Sequence, residues 1–88
     1  MSYELVLSET VEKRFFKLGK KNKKALTIIW KKLAEVLRNP HRFKPLKNRL
    51  AGCYRIHILT SFVITYEIRE YNKTVFIIDF EHHDKAYK

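Results

Sequence analysis

The chain has 88 residues, enough for one hydrophobic core and too few for two. Its 45 % hydrophobic content, with six Phe, five Tyr and one Trp, excludes intrinsic disorder, and its longest apolar runs fall far short of the roughly 18–20 residues that span a bilayer. The formal net charge of +10 resides in residues 1–49, with 14 basic and 4 acidic side chains, whereas residues 50–88 are neutral; the basic half calls for a polyanion or an acidic protein, the alternative being a solvated surface.

Met1-Ser2-Tyr3-Glu4 lacks the basic-then-apolar pattern of a secretion signal. One cysteine, Cys53, cannot close an internal disulfide. A cytoplasmic protein with no membrane attachment is therefore expected. Tyr3 to Leu7 reads as a strand with Tyr3, Leu5 and Leu7 on one face. Ser8 suits a helix N-cap, Glu9 and Glu12 suit the positive end of the helix dipole, and Val11, Phe15 and Leu18 recur at helical spacing. Gly19 is the expected stop. A second helix over 22–38 carries the stripe Leu26, Ile29, Trp30, Leu33, Val36 and Leu37, which reads as core, and Asn39-Pro40 ends it. The short link Gly19–Lys21 makes the pair a helical hairpin.

Residues 39–52 form a basic loop pinned by Phe43, Leu46 and Leu50. Strands follow at about 53–59, 62–69 and 74–82, separated by turn-sized breaks, so they form an antiparallel meander. The expected fold is α+β with the order β-α-α-β-β-β. A two-helix hairpin packs on one face of a mainly antiparallel four-stranded sheet, and the chain is a single domain over 1–88.

Strand alternation assigns the faces. Tyr54, Ile56, Ile58, Phe62, Ile64, Tyr66, Ile68, Phe76, Ile78 and Phe80 point inward. Arg55, His57, Val63, Thr65, Glu67, Arg69, Asp79, Glu81 and His83 point outward, unless a one-residue bulge shifts the phase. The open face thus gathers Arg55, His57 and His83 with Glu67, Asp79 and Glu81.

His82-His83-Asp84 is the densest titratable cluster. It reads as a proton-transfer site, because imidazole titrates near neutrality and Asp84 would orient it; the alternative is a polar strand end. A metal site fits poorly, since adjacent strand histidines point to opposite faces, and no cofactor is expected. Arg55 and His57 beside His83 suit phosphodiester cleavage. One group activates a nucleophile, one neutralises charge on phosphorus and one protonates the leaving oxygen. RNA supplies its own nucleophile, the 2′-hydroxyl. Otherwise Arg55 pairs with Glu67 across the strands. Lys13, Lys17, Lys20, Lys21, Lys23, Lys24, Lys31 and Lys32 line the hairpin, as phosphate contacts, a dock for an acidic protein, or a solvated face. Lys44, Lys47 and Arg49 lie nearer the proposed site and weigh more for RNA. Cys53 lacks a base at a diagnostic spacing and reads as a buried small residue. Tyr87 would dock the tail, stack on a base or serve proton transfer.

Phe43-Lys44-Pro45-Leu46-Lys47-Asn48-Arg49-Leu50-Ala51-Gly52 precedes Cys53-Tyr54-Arg55-Ile56-His57-Ile58; Ile64-Thr65-Tyr66-Glu67-Ile68 follows, and the chain ends His82-His83-Asp84-Lys85-Ala86-Tyr87. With the element order, these segments resemble the RelE/ParE superfamily of type II toxin–antitoxin toxins across the whole chain, most closely its RelE-like branch. The resemblance implies a ribosome-dependent mRNA endonuclease that cuts A-site mRNA without a metal, by 2′-hydroxyl attack giving a 2′,3′-cyclic phosphate. It implies an acidic antitoxin as partner, together with the ribosome. It places Arg55 and His57 at the phosphate, His83 as the catalytic basic residue with Asp84 in support, and Tyr87 near the scissile site. His82 and Lys85 join Lys44, Lys47 and Arg49 as RNA contacts. Val63 stands where many relatives carry an arginine, and the family's C-terminal helix has no counterpart after Tyr87. Branches without that arginine rely on His and Asp near the chain end. A ParE-like, gyrase-directed toxin and an RNA-binding relative without strong catalysis are the alternatives.

Overall fold

The computed structural model describes residues 3–45 and 52–82. Strand β1 is Glu4–Leu7, helix α1 Glu9–Lys21, helix α2 Lys23–Arg38, β2 Lys44–Pro45, β3 Cys53–Ile58, β4 Phe62–Arg69 and β5 Thr74–His82. The strands form one mixed sheet in the order β1-β5-β4-β3-β2; β1 runs parallel to β5 and the other pairs are antiparallel. The predicted four strands are therefore joined by a fifth, a two-residue edge strand within the stretch read as loop.

Ser8 caps α1, its Oγ accepting from the Val11 N–H at 3.2 Å. Gly19 does not stop the helix, which runs on to Lys21. A Cβ at Gly19 would stand 3.0 Å from Leu26 Cδ2, so the glycine serves the close approach of α1 to α2. The link is Asn22 alone. Its backbone N–H donates to Leu18 O and its Oδ1 accepts from the Ala25 N–H, so one residue closes one helix and opens the next.

The core lies between the helices and the inner sheet face, with Val11, Phe15, Ile29, Leu33, Val36, Ile56, Ile64, Tyr66, Val75 and Ile77 buried. Each large aliphatic side chain there contributes roughly 1.5–3 kcal/mol over its exposed state. Trp30 departs from the predicted stripe: it is 42 % exposed and packs edge-on to Phe15 at the margin. Ala25, outside that stripe, is buried instead.

The alternation predicted for β3 and β4 places the inner residues correctly. Val63 is outward in phase yet buried, flanked by His57 and Glu81 on the neighbouring strands. In β5 the phase differs. Thr65 pairs with Asp79 but Tyr66 pairs with Ile77, so Ile78 is an extra residue, a β-bulge. Val75 and Ile77 therefore point inward, Phe76 does not, and Ile78 lies exposed; beyond the bulge Phe80 returns to the core.

The bulge falls where β1 ends. Past Leu7, β5 keeps β4 on one side but has no strand on its β1 side among the described residues. Side chains from α1 and its cap take over: Ser8 Oγ donates to Ile78 O at 3.2 Å, and Arg14 donates to Phe80 O and to Asp79 Oδ1 at 3.2 Å. They satisfy backbone acceptors that an open edge would leave unpaired.

Candidate functional site

The outer face of the sheet is built from two cross-strand rows. Arg55 stands opposite Thr65, which stands opposite Asp79; His57 stands opposite Val63, which stands opposite Glu81. Adjacent strands are ~4.8 Å apart, so the basic residues of β3 lie ~10 Å from the acidic residues of β5. Neutral side chains of β4 separate them. Arg55 and His57 are two residues apart and share the face, ~6.7 Å from each other along the strand. Both are exposed, and among the described residues neither side chain makes a hydrogen bond or ion pair.

The proposed Arg55–Glu67 pair does not form: Glu67 is held by Arg69 on its own strand, with the Arg69 Nε donating to Oε1 at 3.2 Å. Asp79 is engaged by Arg14. The outer face is therefore positive at its β3 side and compensated at its β5 side. The register also sets Lys44 directly opposite Arg55, so the sheet edge carries basic residue positions at Lys44, Arg55 and His57.

His82 does not join them. It pairs with Phe62 in register and stacks on that ring at 4.4 Å, on the helix side of the sheet. There it borders a cavity of about 560 Å³ between α1 and the ends of β4 and β5, rimmed by Arg14, Lys17 and Lys21 and floored by Phe62 and Phe80. Lys47, Arg49, His83, Asp84, Lys85 and Tyr87, with the pinning residues Leu46 and Leu50, lie outside the described residues. Phe43 packs partly buried against the core as expected.

Cys53 is buried, and burial followed by the nearby Glu67 carboxylate pushes its thiol above the ordinary value, which suits packing better than nucleophilic attack. No helix of the described residues is long and apolar enough to cross a membrane.

A second polar cluster, which the sequence did not announce, sits at the opposite end of the β3–β4 hairpin. Glu70 accepts from Tyr3 Oη at 3.0 Å and from Lys73 Nζ at 3.1 Å, and His41 Nε2 contacts its other oxygen. The other His41 ring nitrogen lies 3.3 Å from Tyr54 Oη. These bonds, that with His41 foremost, hold the Glu70 carboxyl below its ordinary value, and the Glu70 bond raises Lys73. Beneath it, buried Tyr66 donates to Pro40 O at 2.7 Å and stacks on Tyr54 at 5.4 Å. No spacing along the sequence links residues 3, 41, 54, 70 and 73, so only the fold could reveal it.

A family model described as the ParE toxin of the type II toxin–antitoxin system parDE matches residues 5–87. A Methanocaldococcus jannaschii protein named "Putative toxin RelE4" is 43 % identical over 98 % of this chain and 92 % of its own length. Among solved structures, the isolated E. coli RelE toxin is 28 % identical with a TM-score of 0.75, covering 98 % of this chain and 92 % of that one. A chain of the intact E. coli RelBE toxin–antitoxin complex is 27 % identical with a TM-score of 0.75, covering 96 % of this chain and 100 % of that one.

Proposed function

The chain belongs to the ParE toxin family, within the RelE/ParE superfamily of toxins of toxin–antitoxin systems, and from that premise we propose that it is a ribosome-dependent mRNA endoribonuclease. One observation carries the reading: Arg55 and His57 stand exposed on the open face, their side chains unpaired among the described residues, beside the basic position Lys44. A structural ion pair would have engaged them. An anionic substrate supplies the missing charge.

In the proposed reaction the 2′-hydroxyl of the nucleotide before the cut attacks the adjacent phosphorus. The P–O5′ bond breaks, leaving a 2′,3′-cyclic phosphate and a 5′-hydroxyl. Arg55 offers a planar fork of donors to the non-bridging oxygens as negative charge grows there, and His57 adds a donor two residues on. His83, supported by Asp84, moves the proton as general acid or base, and Tyr87 positions or stacks. Lys44, Lys47, Arg49 and Lys85 hold the strand by its phosphates, whereas His82, on the helix side of the sheet, lies away from it. The likeness to the RelBE complex supports an acidic antitoxin as the partner that meets the basic surface.

A second reading is favoured by the ParE description of the matching family: a gyrase-directed toxin that cuts no RNA. Arg55 and His57 have no assigned work in that reading. The test is cleavage of mRNA held in programmed ribosomes, with EDTA present. Wild type is expected to cut in the A-site codon. His57→Ala and His83→Ala are each expected to lose about 100-fold or more of the rate, with thermal midpoints unchanged. No cut by wild type, with a DNA-damage response on induction, would replace the nuclease by the gyrase reading.

A further inference from the structure

His57 borders more than the open face. At the end of β3 it lines a cleft of about 310 Å³ between α2 and the β3–β4 turn, with Ile28, Lys31, Lys32 and Leu59 among its walls. The cleft is reachable because β2 covers only Tyr54 and Arg55; among the described residues, Ile56 to Ile58 have no strand on that side.

The charges in the cleft do not cancel. Glu35 is its carboxylate, and one oxygen of that group already faces both Lys32 and Arg42 at 3.6 Å. Lys32 also lies over the Phe43 ring. Lys31 is exposed and, among the described residues, makes no ion pair, hydrogen bond or ring contact. Two basic side chains, Lys31 and His57, therefore line one cleft, and among the described residues neither pairs with its single carboxylate, Glu35. Beside them Ile28 and Leu59 remain 37 % and 47 % exposed.

The turn that presents Leu59 is strained. Leu59 and Thr60 have φ of 55° and 58°, in the left-handed region that non-glycine residues enter at a cost of roughly 1–2 kcal/mol each. The tight connection between Ile58 and Phe62 imposes this backbone, and it holds Leu59 at the rim of the cleft.

We propose that this cleft is a single-stranded RNA subsite next to the cut: Lys31 takes the phosphate neighbouring the one at Arg55 and His57, and Ile28 and Leu59 carry the apolar face of its nucleotide. The path follows the charge. The β5 side of the outer face is compensated by carboxylates, so a strand bound at Arg55 and His57 leaves over the β3 edge toward α2. The inference rests on the nuclease reading for its substrate, and its test separates the two.

The full-length protein is titrated with a 2′-deoxy-substituted single-stranded RNA oligonucleotide, which it cannot cut, across a salt series. Lys31→Ala is compared with Lys31→Arg and with Tyr71→Glu, an exposed site outside the cleft that changes the net charge equally. Lys31→Ala is expected to weaken binding about five- to tenfold and to reduce the salt slope by about 0.7, the loss of one single-strand phosphate contact. Lys31→Arg should restore both, and Tyr71→Glu should move neither. On programmed ribosomes Lys31→Ala should raise KM with kcat unchanged. Equal effects from Lys31→Ala and Tyr71→Glu would reduce the role of Lys31 to net charge and overturn the subsite, even if wild type cuts. Wild type that binds the oligonucleotide through Lys31 but cuts nothing would remove the nuclease and leave the subsite standing. Wild type that does not bind the oligonucleotide overturns the subsite.

Discussion

The β3–β4 hairpin has a polar cluster at each end, and the two are built on opposite terms. At one end Glu70 is surrounded by Tyr3, His41 and Lys73, and each charge meets a partner. At the other, Arg55 and His57 stand without protein partners among the described residues, and Lys31 faces the same cleft as His57. The first end ties β1, the Pro40–Arg42 turn and the β4–β5 connection together, so its charge is spent on structure. The second leaves its charge available to a ligand. Charge density alone would not tell them apart; partnering does.

If that division holds, each end should fail in its own way. Tyr66→Phe should give the largest stability loss of three changes. It removes the buried bond to Pro40 O and leaves that carbonyl unsatisfied, costing about 1–2 kcal/mol. Chemical denaturation should show the loss while the oligonucleotide affinity of the folded protein stays unchanged; a large drop in affinity would mean the two ends are coupled. Thr60→Gly should do the reverse, stabilising the fold by about 0.5–1 kcal/mol by relieving the left-handed turn, while loosening the cleft and weakening RNA binding. Stability and affinity rising together would show that the strain has no bearing on the cleft.

Glu70→Gln should give the smallest effect, and a pH-dependent one. The Glu70 carboxyl titrates below its unfolded value, so its contribution is fully present above the ordinary carboxylate range. That contribution fades as pH falls through the lowered folded value. Thermal midpoints of wild type and Glu70→Gln should therefore differ slightly at neutral pH and converge in acid. A gap that widens on acidification would contradict the assignment.

The helices and the alternation in β3 and β4 were legible because both are local periodicities. Ile29, Leu33 and Val36 recur at helical spacing, and Ile56 and Ile58 alternate with Arg55 and His57. The outward placement of Arg55 and His57 followed from that alternation. What escaped depends on contacts made far along the chain. The bulge at Ile78 arises where β1 runs out, more than seventy residues away in sequence. Gly19 resembled a helix stop because the nearby Leu26 side chain that needs its space lies on another helix. Lys31 was one lysine among many on the hairpin until the packing of α2 set it beside His57. The Glu70 cluster draws on four separate stretches of the chain and has no motif.

The parallel pairing of β1 with β5 also orders the birth of the molecule. Among the described strands, the earliest in the chain is hydrogen-bonded to the latest, with Leu5 beside Val75 and Leu7 beside Ile77 in register. The helical hairpin rests on neighbours in sequence and can form early; the sheet closes across almost the whole chain and must come late. A chain arrested before Thr74 lacks Val75, Ile77 and Phe80 from its core and leaves β1 without its partner strand. A copy stopped short of β5 is thus left with an unfinished core and an unpaired first strand.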